Sequence, residues 1–143
     1  MNSIRDELVA FDTNVFLFAL SKHPSYPACE TLVFDRISEL KVYIPLQFFV
    51  ELQRNLHNHE MSGLLRALLR AKTVTWDYAP APMELITRWE QQGAKKGDAV
   101  IAAHLEAAKT SYLISENRHF LTELPSSPFQ VLRSEEAIEL LRK

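Results

Sequence analysis

The sequence is poor in glycine and cysteine, and each shortage excludes a class of protein. Only 3 of its 143 residues are glycine. A G-x-G-x-x-G loop or a P-loop needs several closely spaced glycines, so a Rossmann dinucleotide enzyme and a P-loop nucleotidase are excluded. The single cysteine, Cys29, excludes an internal disulfide and a cysteine-based zinc site. It also favours a reducing compartment, so we expect a cytoplasmic protein.

An excess of one charge and a long apolar run are missing as well. The 16 basic and 18 acidic residues give a net charge of −2, so the chain has no general basic coat for nucleic acid and any such contact must be local. No apolar run reaches the roughly 18 residues of a membrane span. The polar start MNSIRDEL does not read as a signal peptide, and we expect no membrane partner.

The composition that is present is that of a folded protein. Hydrophobic residues make up 47% of the chain and charged residues 24%, which argues against disorder. The length predicts one domain spanning residues 1–143.

Short apolar runs alternate with helical patterns along the chain. The predicted strands are Leu8–Phe11, Val42–Ile44, Thr73–Trp76, Tyr112–Ser115 and Phe129–Leu132. The predicted helices are Val15–Leu20, Tyr26–Leu40, Leu46–His57, Met61–Ala71, Pro82–Gln91, Ala99–Ala108 and Glu135–Arg142. This alternation predicts an α/β fold with a parallel sheet covered by helices on both faces. Ligands of such sheets bind beyond the carboxyl ends of the strands, so the residues that follow each strand are the first candidates for a site.

Three acids stand where this fold would carry them to that edge. Asp12 directly follows the first strand, where it is either a site residue or the N-cap of the next helix. Glu51 lies at the margin of an apolar helical stripe, and either faces the site or pairs with Arg54 on the surface. Asp98 precedes the apolar helix Ala99–Ala108, either as an inward-facing acid or as the N-cap.

A polar turn, Ser115-Glu116-Asn117, follows the fourth strand. Carboxylates gathered at one edge repel each other unless a cation neutralises them, and oxygen ligands suit Mg²⁺ or Mn²⁺. Such an ion activates water and stabilises charge on a phosphoryl group. The combination therefore predicts metal-dependent hydrolysis of a phosphodiester.

The same residues, in the same order, resemble the PIN domain family. The resemblance rests on the motifs VAFDTN at 9–14, VEL at 50–52, GDAVIAA at 97–103 and LISENRHF at 113–120. It covers essentially the whole chain and implies a three-layer α/β/α sandwich with about five parallel strands. It also implies a Mg²⁺- or Mn²⁺-dependent endoribonuclease that cleaves single-stranded RNA. Such an enzyme is often the toxin of a VapBC-type toxin–antitoxin pair, with a cognate antitoxin as partner.

The resemblance also implies roles for individual residues. Asp12 and Asp98 match the metal ligands of the family, and Glu51 matches a ligand that acts directly or through water. Asn14 and Ser115 match polar positions that support the site.

The fourth acidic position of the family departs from its usual pattern. Many members have Asp where this chain has Asn117, which removes one negative charge and leaves open whether one or two metals bind. We expect Asn117 to face the metal and Glu116 to point away from it, with the reverse assignment as the alternative. The loss of charge also keeps a second function open, a catalytically weak PIN-like module that binds RNA or a protein partner.

Further expectations concern partners. Four basic residues flank the acids in sequence and are candidate RNA contacts: Arg54, Lys95, Lys96 and Arg118. The alternative is that they are solvated surface charge. His119 is a minor phosphate candidate, and His104 is expected in the core or at an interface. A homodimer, frequent in the family, could use apolar surface on segments 26–40 and 63–69.

Overall fold

The computed structural model describes residues 3–117 and 127–143 and contains one parallel sheet. Its five strands are ordered β3-β2-β1-β4-β5. They are β1 Leu8–Phe11, β2 Lys41–Pro45, β3 Thr73–Asp77, β4 Tyr112–Ile114 and β5 Gln130–Leu132. All neighbouring pairs are parallel. The predicted parallel sheet is confirmed, and each predicted strand end lies within one residue of the observed one.

Strand β1 occupies the centre of the sheet because its residues are apolar on both faces. Val9 and Ala10 are fully buried and Phe11 nearly so. Ala10 lies opposite Tyr43 of β2 on one side and Leu113 of β4 on the other. A strand that alternates apolar and polar residues would leave one face wet, whereas this run accepts helices on both faces.

All helices but the second begin and end within three residues of the predicted positions. They are α1 Thr13–Leu20, α2 Pro27–Glu30, α3 Leu46–Asn55, α4 Asn58–Leu68, α5 Met83–Gln91, α6 Lys96–Ala107 and α7 Ser134–Leu141. A short 3₁₀ turn, Ile4–Asp6, precedes β1. Within residues 3–117 and 127–143, no helix has both the length and the apolar character needed to cross a bilayer.

One predicted helix, Tyr26–Leu40, is not a single regular helix. It divides into α2, a π-helical segment Thr31–Asp35 and a 3₁₀ turn Ile37–Glu39. All three kinds of turn bring residues three to five apart onto one side, so the apolar spacing did not distinguish them. The apolar side chains of this segment are also largely buried rather than spare surface, among them Leu32, Val33, Ile37 and Leu40.

The order of the strands creates one switch point in the sheet. The chain runs from β1 outward to β2 and β3, then returns to place β4 on the other side of β1. In doubly wound sheets the connections leave a crevice where the winding direction changes, outside the carboxyl ends of the two strands involved. Here those strands are β1, which ends just before Asp12, and β4, which ends just before Ser115.

Candidate active site

Asp12 is at once the N-cap of α1 and the centre of a buried hydrogen-bond network. It is only 1% exposed. Its Oδ1 accepts the backbone N–H of Thr13 at 2.8 Å. Its Oδ2 accepts the Ser115 hydroxyl at 2.9 Å and the Asn14 amide at 3.2 Å. The capping alternative is therefore correct: Oδ1 caps the helix, while Oδ2 joins Asp12 to Ser115 and Asn14.

The turn after β4 is tied to the same network through its backbone. The N–H of Asn117 donates to Ser115 Oγ at 3.2 Å, and the N–H of Glu116 donates to Asn14 Oδ1 at 3.3 Å. Asn14 thus donates to Asp12 with its amide nitrogen and accepts from the turn with its amide oxygen. The Asn14 side chain therefore links the end of β1 to the backbone of the turn after β4, across the switch point.

Glu51 reaches this network from α3. Its Oε2 accepts the Thr13 hydroxyl at 3.0 Å, and its Oε1 accepts the Gln47 amide at 3.4 Å. Glu51 is half-buried, whereas Arg54 on the same helix is exposed. The structure therefore brings Glu51 to Thr13, the neighbour of Asp12, rather than into a surface pair with Arg54.

Asp98 lies in the first turn of α6 and does not cap it. The helix begins at Lys96 with Lys95 as N-cap, so the predicted start at Ala99 was three residues late. An acid in the first turn still interacts favourably with the helix dipole. Because α6 leads into the start of β4, its first turn lies at the carboxyl edge of the sheet. Helix α6 also contacts α3, which carries Glu51.

The two candidates for the fourth position differ in their surroundings. Asn117 is exposed after β4. Glu116 is buried, and its Oε1 accepts the Ser134 N–H at 3.1 Å and the Cys29 thiol at 3.6 Å. The Glu116 carboxylate thus faces α7 and α2 rather than Asp12. Whether Asn117 binds a metal stays a prediction.

Three of the four basic candidates lie within the described residues, and all three are exposed. Arg54, Lys95 and Lys96 are exposed, the two lysines at the start of α6. Arg118 and His119 lie outside the described residues. His104 is buried within α6, as expected for a core position.

The candidate ligands suit a hard cation by chemistry, since each offers oxygen. Among the described residues, however, no three Asp, Glu, His or Cys side chains lie close enough together to hold a metal ion. The fit therefore rests on the oxygen donors and their shared edge. Hydrogen bonds connect Asp12 with Glu51 through Thr13, and Asp98 lies in the first turn of α6, a helix that contacts α3.

Comparison with solved structures identifies the architecture. The chain is similar to a chain of VapBC2 from Rickettsia felis, solved bound to a DNA fragment from its promoter, with a TM-score of 0.58 and 22% identity over 88% of this chain and 98% of that one. It is also similar to PAE2754 from Pyrobaculum aerophilum, with a TM-score of 0.53 and 12% identity over 99% and 100% of the two chains.

The chain has a PIN-like fold. At these identities the likeness concerns the fold alone. No family profile matches the chain, and no curated protein matches it by sequence. The PIN-like fold confirms the predicted architecture, in which a central parallel sheet is covered by helices.

Two residues of the network were missed by sequence reasoning. Thr13 and Gln47 orient the Glu51 carboxylate. Gln47 stands four residues before Glu51, and this i, i+4 spacing places two side chains on one helix face. Thr13 carried no comparable signal, because its contact with Glu51 joins two elements far apart in sequence.

Proposed function

We propose that this protein is a Mg²⁺- or Mn²⁺-dependent endoribonuclease that hydrolyses single-stranded RNA. The observation that carries the proposal is the oxygen-rich network joining Asp12, Asn14, Ser115, Thr13 and Glu51 at the switch point of the sheet. A PIN-like fold with such an edge supports nuclease chemistry better than any other.

The residues that would hold the metal are Asp12, Glu51 and Asp98, with Asn117 as a neutral fourth ligand. A bound divalent ion would activate water and stabilise charge on the phosphate. The protein's own contribution is orientation. Ser115, Asn14 and the Thr13 N–H hold the Asp12 carboxylate, and the Thr13 hydroxyl holds Glu51. Preformed hydrogen bonds of this kind reduce the reorganisation needed for ligand binding.

RNA would reach this edge over exposed basic residues. Lys95 and Lys96 open α6, three and two residues before Asp98, and Arg54 extends from the Glu51 helix. The net charge of −2 excludes a general coat, so the contacts would be few and phosphate-directed.

We also propose a protein partner, an antitoxin of the VapB kind. The proposal is supported by the likeness to a chain of the VapBC2 complex. A homodimer is a related proposal, and the exposed leucines of the 63–69 segment favour it. Leu69 is 84% exposed and Leu65 43% exposed, one helical turn apart.

A second function, a binding module with weak or no catalysis, is favoured by two observations. Asn117 stands where a fourth acid would be, and no three acids of the described part of the chain are gathered to metal-binding distance. Calorimetric titration with Mn²⁺ separates the two functions, since the nuclease requires binding of the ion.

The test of the nuclease is cleavage of an unstructured RNA by purified protein in Mn²⁺ or Mg²⁺. We expect cleavage that EDTA stops and that Asp98→Asn abolishes. Glu106→Gln is the matched control, because Glu106 lies on the same helix and instead accepts the Trp89 indole N–H at 3.0 Å. Cleavage insensitive to EDTA, or full activity of Asp98→Asn, would contradict the proposal.

A further inference from the structure

The Glu116 carboxylate is buried behind the candidate active site. The residue is 7% exposed, and its Oε1 accepts the N–H of Ser134, the first residue of α7, at 3.1 Å. The Cys29 thiol donates to the same oxygen at 3.6 Å and lies 3.4 Å from Ser134 Oγ. A carboxylate withdrawn from water requires donors of this kind, and the first amides of a helix are suitable because they have no partner within the helix.

The backbone of Glu116 makes contacts in the opposite direction. Its N–H donates to Asn14 Oδ1, and Asn14 in turn donates to Asp12. Ser115, the residue before it, donates directly to Asp12, and the residue after it, Asn117, donates to Ser115. Glu116 therefore connects helix α7, through its side chain, to the Asp12 network, through its backbone.

We propose that Glu116 is a positioning residue. By anchoring the turn after β4 to the start of α7 and to Cys29, it holds Ser115 and Asn117 at the Asp12 network. The effect of this role on metal binding rests on the proposed function, because the edge that Glu116 orders is the proposed metal site. The anchoring of the turn itself does not. For this role the side chain at position 116 must accept a hydrogen bond through an oxygen atom, and it need not bind the metal.

The Cys29 thiol contributes as a neutral donor. Burial raises the pKa of Cys29 to about 12, so the group keeps its proton at neutral pH. A protonated thiol can donate to Glu116, whereas a thiolate beside the carboxylate would repel it. Cys29 therefore belongs to the anchor of the turn.

Two substitutions of Glu116 separate positioning from a ligand role. Glu116→Ala removes the acceptor for the Ser134 N–H. Glu116→Gln removes the charge but retains a carbonyl oxygen that can accept the same bond. The matched control is Glu7→Ala, because Glu7 accepts the Ser111 hydroxyl at 2.6 Å between the starts of β1 and β4, at the other edge of the sheet.

The first measurement is amide hydrogen exchange without metal. We expect the amides of residues 116 and 117 to lose protection in Glu116→Ala and to keep it in Glu116→Gln and Glu7→Ala. The amides within β4 should stay protected in all three, which shows that the fold is intact. Unchanged protection in Glu116→Ala would overturn the proposal.

The second measurement is calorimetric titration with Mn²⁺. Partners that orient a metal ligand are worth roughly 10–100-fold in affinity, so we expect a loss of that size in Glu116→Ala. Glu116→Gln should stay within about twofold of the wild type, on the same scale. An equal loss in Glu116→Gln would show that the charge itself matters and would overturn positioning in favour of a ligand role. If the wild type binds no Mn²⁺, the proposed function fails, while positioning is still decided by the exchange data.

A second pair of variants covers the case in which Glu116→Ala does not fold. Ser134→Pro removes the N–H that Glu116 accepts, at the first helical position where proline is tolerated. The preceding residue, Arg133, already has the extended backbone that proline requires, with φ −80° and ψ 160°. Ser134→Ala keeps the N–H. We expect deprotection of residues 116 and 117 in the proline variant alone, and equal exchange in both variants would contradict the anchor.

Discussion

The two ends of one strand pair carry the same hydrogen bond in different surroundings. At the amino edge the Ser111 hydroxyl, before β4, donates to Glu7 Oε2, before β1, at 2.6 Å. At the carboxyl edge the Ser115 hydroxyl, after β4, donates to Asp12 Oδ2, after β1, at 2.9 Å. Each is a serine–carboxylate pair that joins the segments flanking the same two strands.

Their neighbours make the difference. Asp12 is almost fully buried and also accepts from the first amide of α1 and from Asn14. Helices α1, α3 and α7 each begin within two residues of a strand's end, so their positive N-termini point to this edge. Glu7 precedes its strand, at the edge where the helices end. The comparison teaches that residue type and pairing do not mark a site, whereas position at the carboxyl edge does.

The largest expected effect is a loss of RNA cleavage, caused by substitutions at the carboxyl edge and not by those at the amino edge. Asp12→Asn and Glu51→Gln should each lower cleavage by about a hundredfold or more, since even residues that only orient ligands are worth 10–100-fold. Glu7→Gln should leave the rate unchanged, because it alters the pair at the other edge. Cleavage assays in Mn²⁺ measure this, and equal losses at both edges would remove the distinction.

Thermal stability should respond to Mn²⁺ through the same edge. A ligand that binds only the folded state stabilises it by about 2.7 kcal/mol at a concentration of 100 Kd. Asp98→Asn should shrink the Mn²⁺ shift, because it removes one of the proposed ligands. Glu7→Gln should retain the full shift. Thermal scans with and without Mn²⁺ decide the point, and identical shifts in wild type and Asp98→Asn would speak against it.

A matched pair of serine variants compares the two edges directly. Ser115→Ala and Ser111→Ala each remove one hydroxyl donor to a carboxylate, so each should cost about 1.5–3 kcal/mol of unfolding free energy. Only Ser115→Ala should also weaken Mn²⁺ binding, by roughly 10–100-fold, because Ser115 orients Asp12. Denaturant unfolding and calorimetry provide the two numbers. Loss of Mn²⁺ affinity in Ser111→Ala would show that general destabilisation is responsible.

RNA binding should depend on the positive charges at the carboxyl edge and not on those at the amino edge. Each phosphate neutralised on a single strand contributes about 0.7 to the slope of log affinity against log salt. Replacing both Lys95 and Lys96 by Ala should therefore reduce the magnitude of that slope by about 1.4. The control is Lys72→Ala with Lys109→Asn, two exposed lysines at the amino edge; Asn suits position 109, where φ is 56°. Titrations in EDTA keep the RNA intact. An unchanged slope for the Lys95 and Lys96 variant would refute the contact.

The smallest expected effect lies between the two edges, at His104. Burial lowers the pKa of His104 below its ordinary value of 6.5, and the charge of Asp77 partly opposes this shift. The unfolded chain therefore takes up the proton at higher pH than the folded one, so stability present above pH 6.5 is lost as pH falls. His104→Gln should flatten the dependence of melting temperature on pH just below that value. A His104→Gln profile that matches the wild type would exclude this residue as the cause.

The sequence by itself determined the strands, their parallel arrangement and the edge at which to look. Runs such as Leu8–Phe11 have the length and apolar character of buried strands, and the helical patterns between them indicate crossovers. Asp12, Glu51 and Asp98 were candidates because strand ends and helix margins can be read locally. Periodicity reports how each element faces its surroundings, which is why these features could be predicted.

Only the tertiary structure decided which partners these residues meet. The bond from Ser115 to Asp12 joins residues 103 positions apart, and the bond from Thr13 to Glu51 spans 38. No local pattern contains either contact. The contacts of Glu116 with Ser134 and Cys29 were not expected for the same reason. Only the direction of its side chain, away from the metal, was expected from the local sequence. A local pattern reports the side on which a residue lies, whereas its partners are determined by how the elements pack against one another.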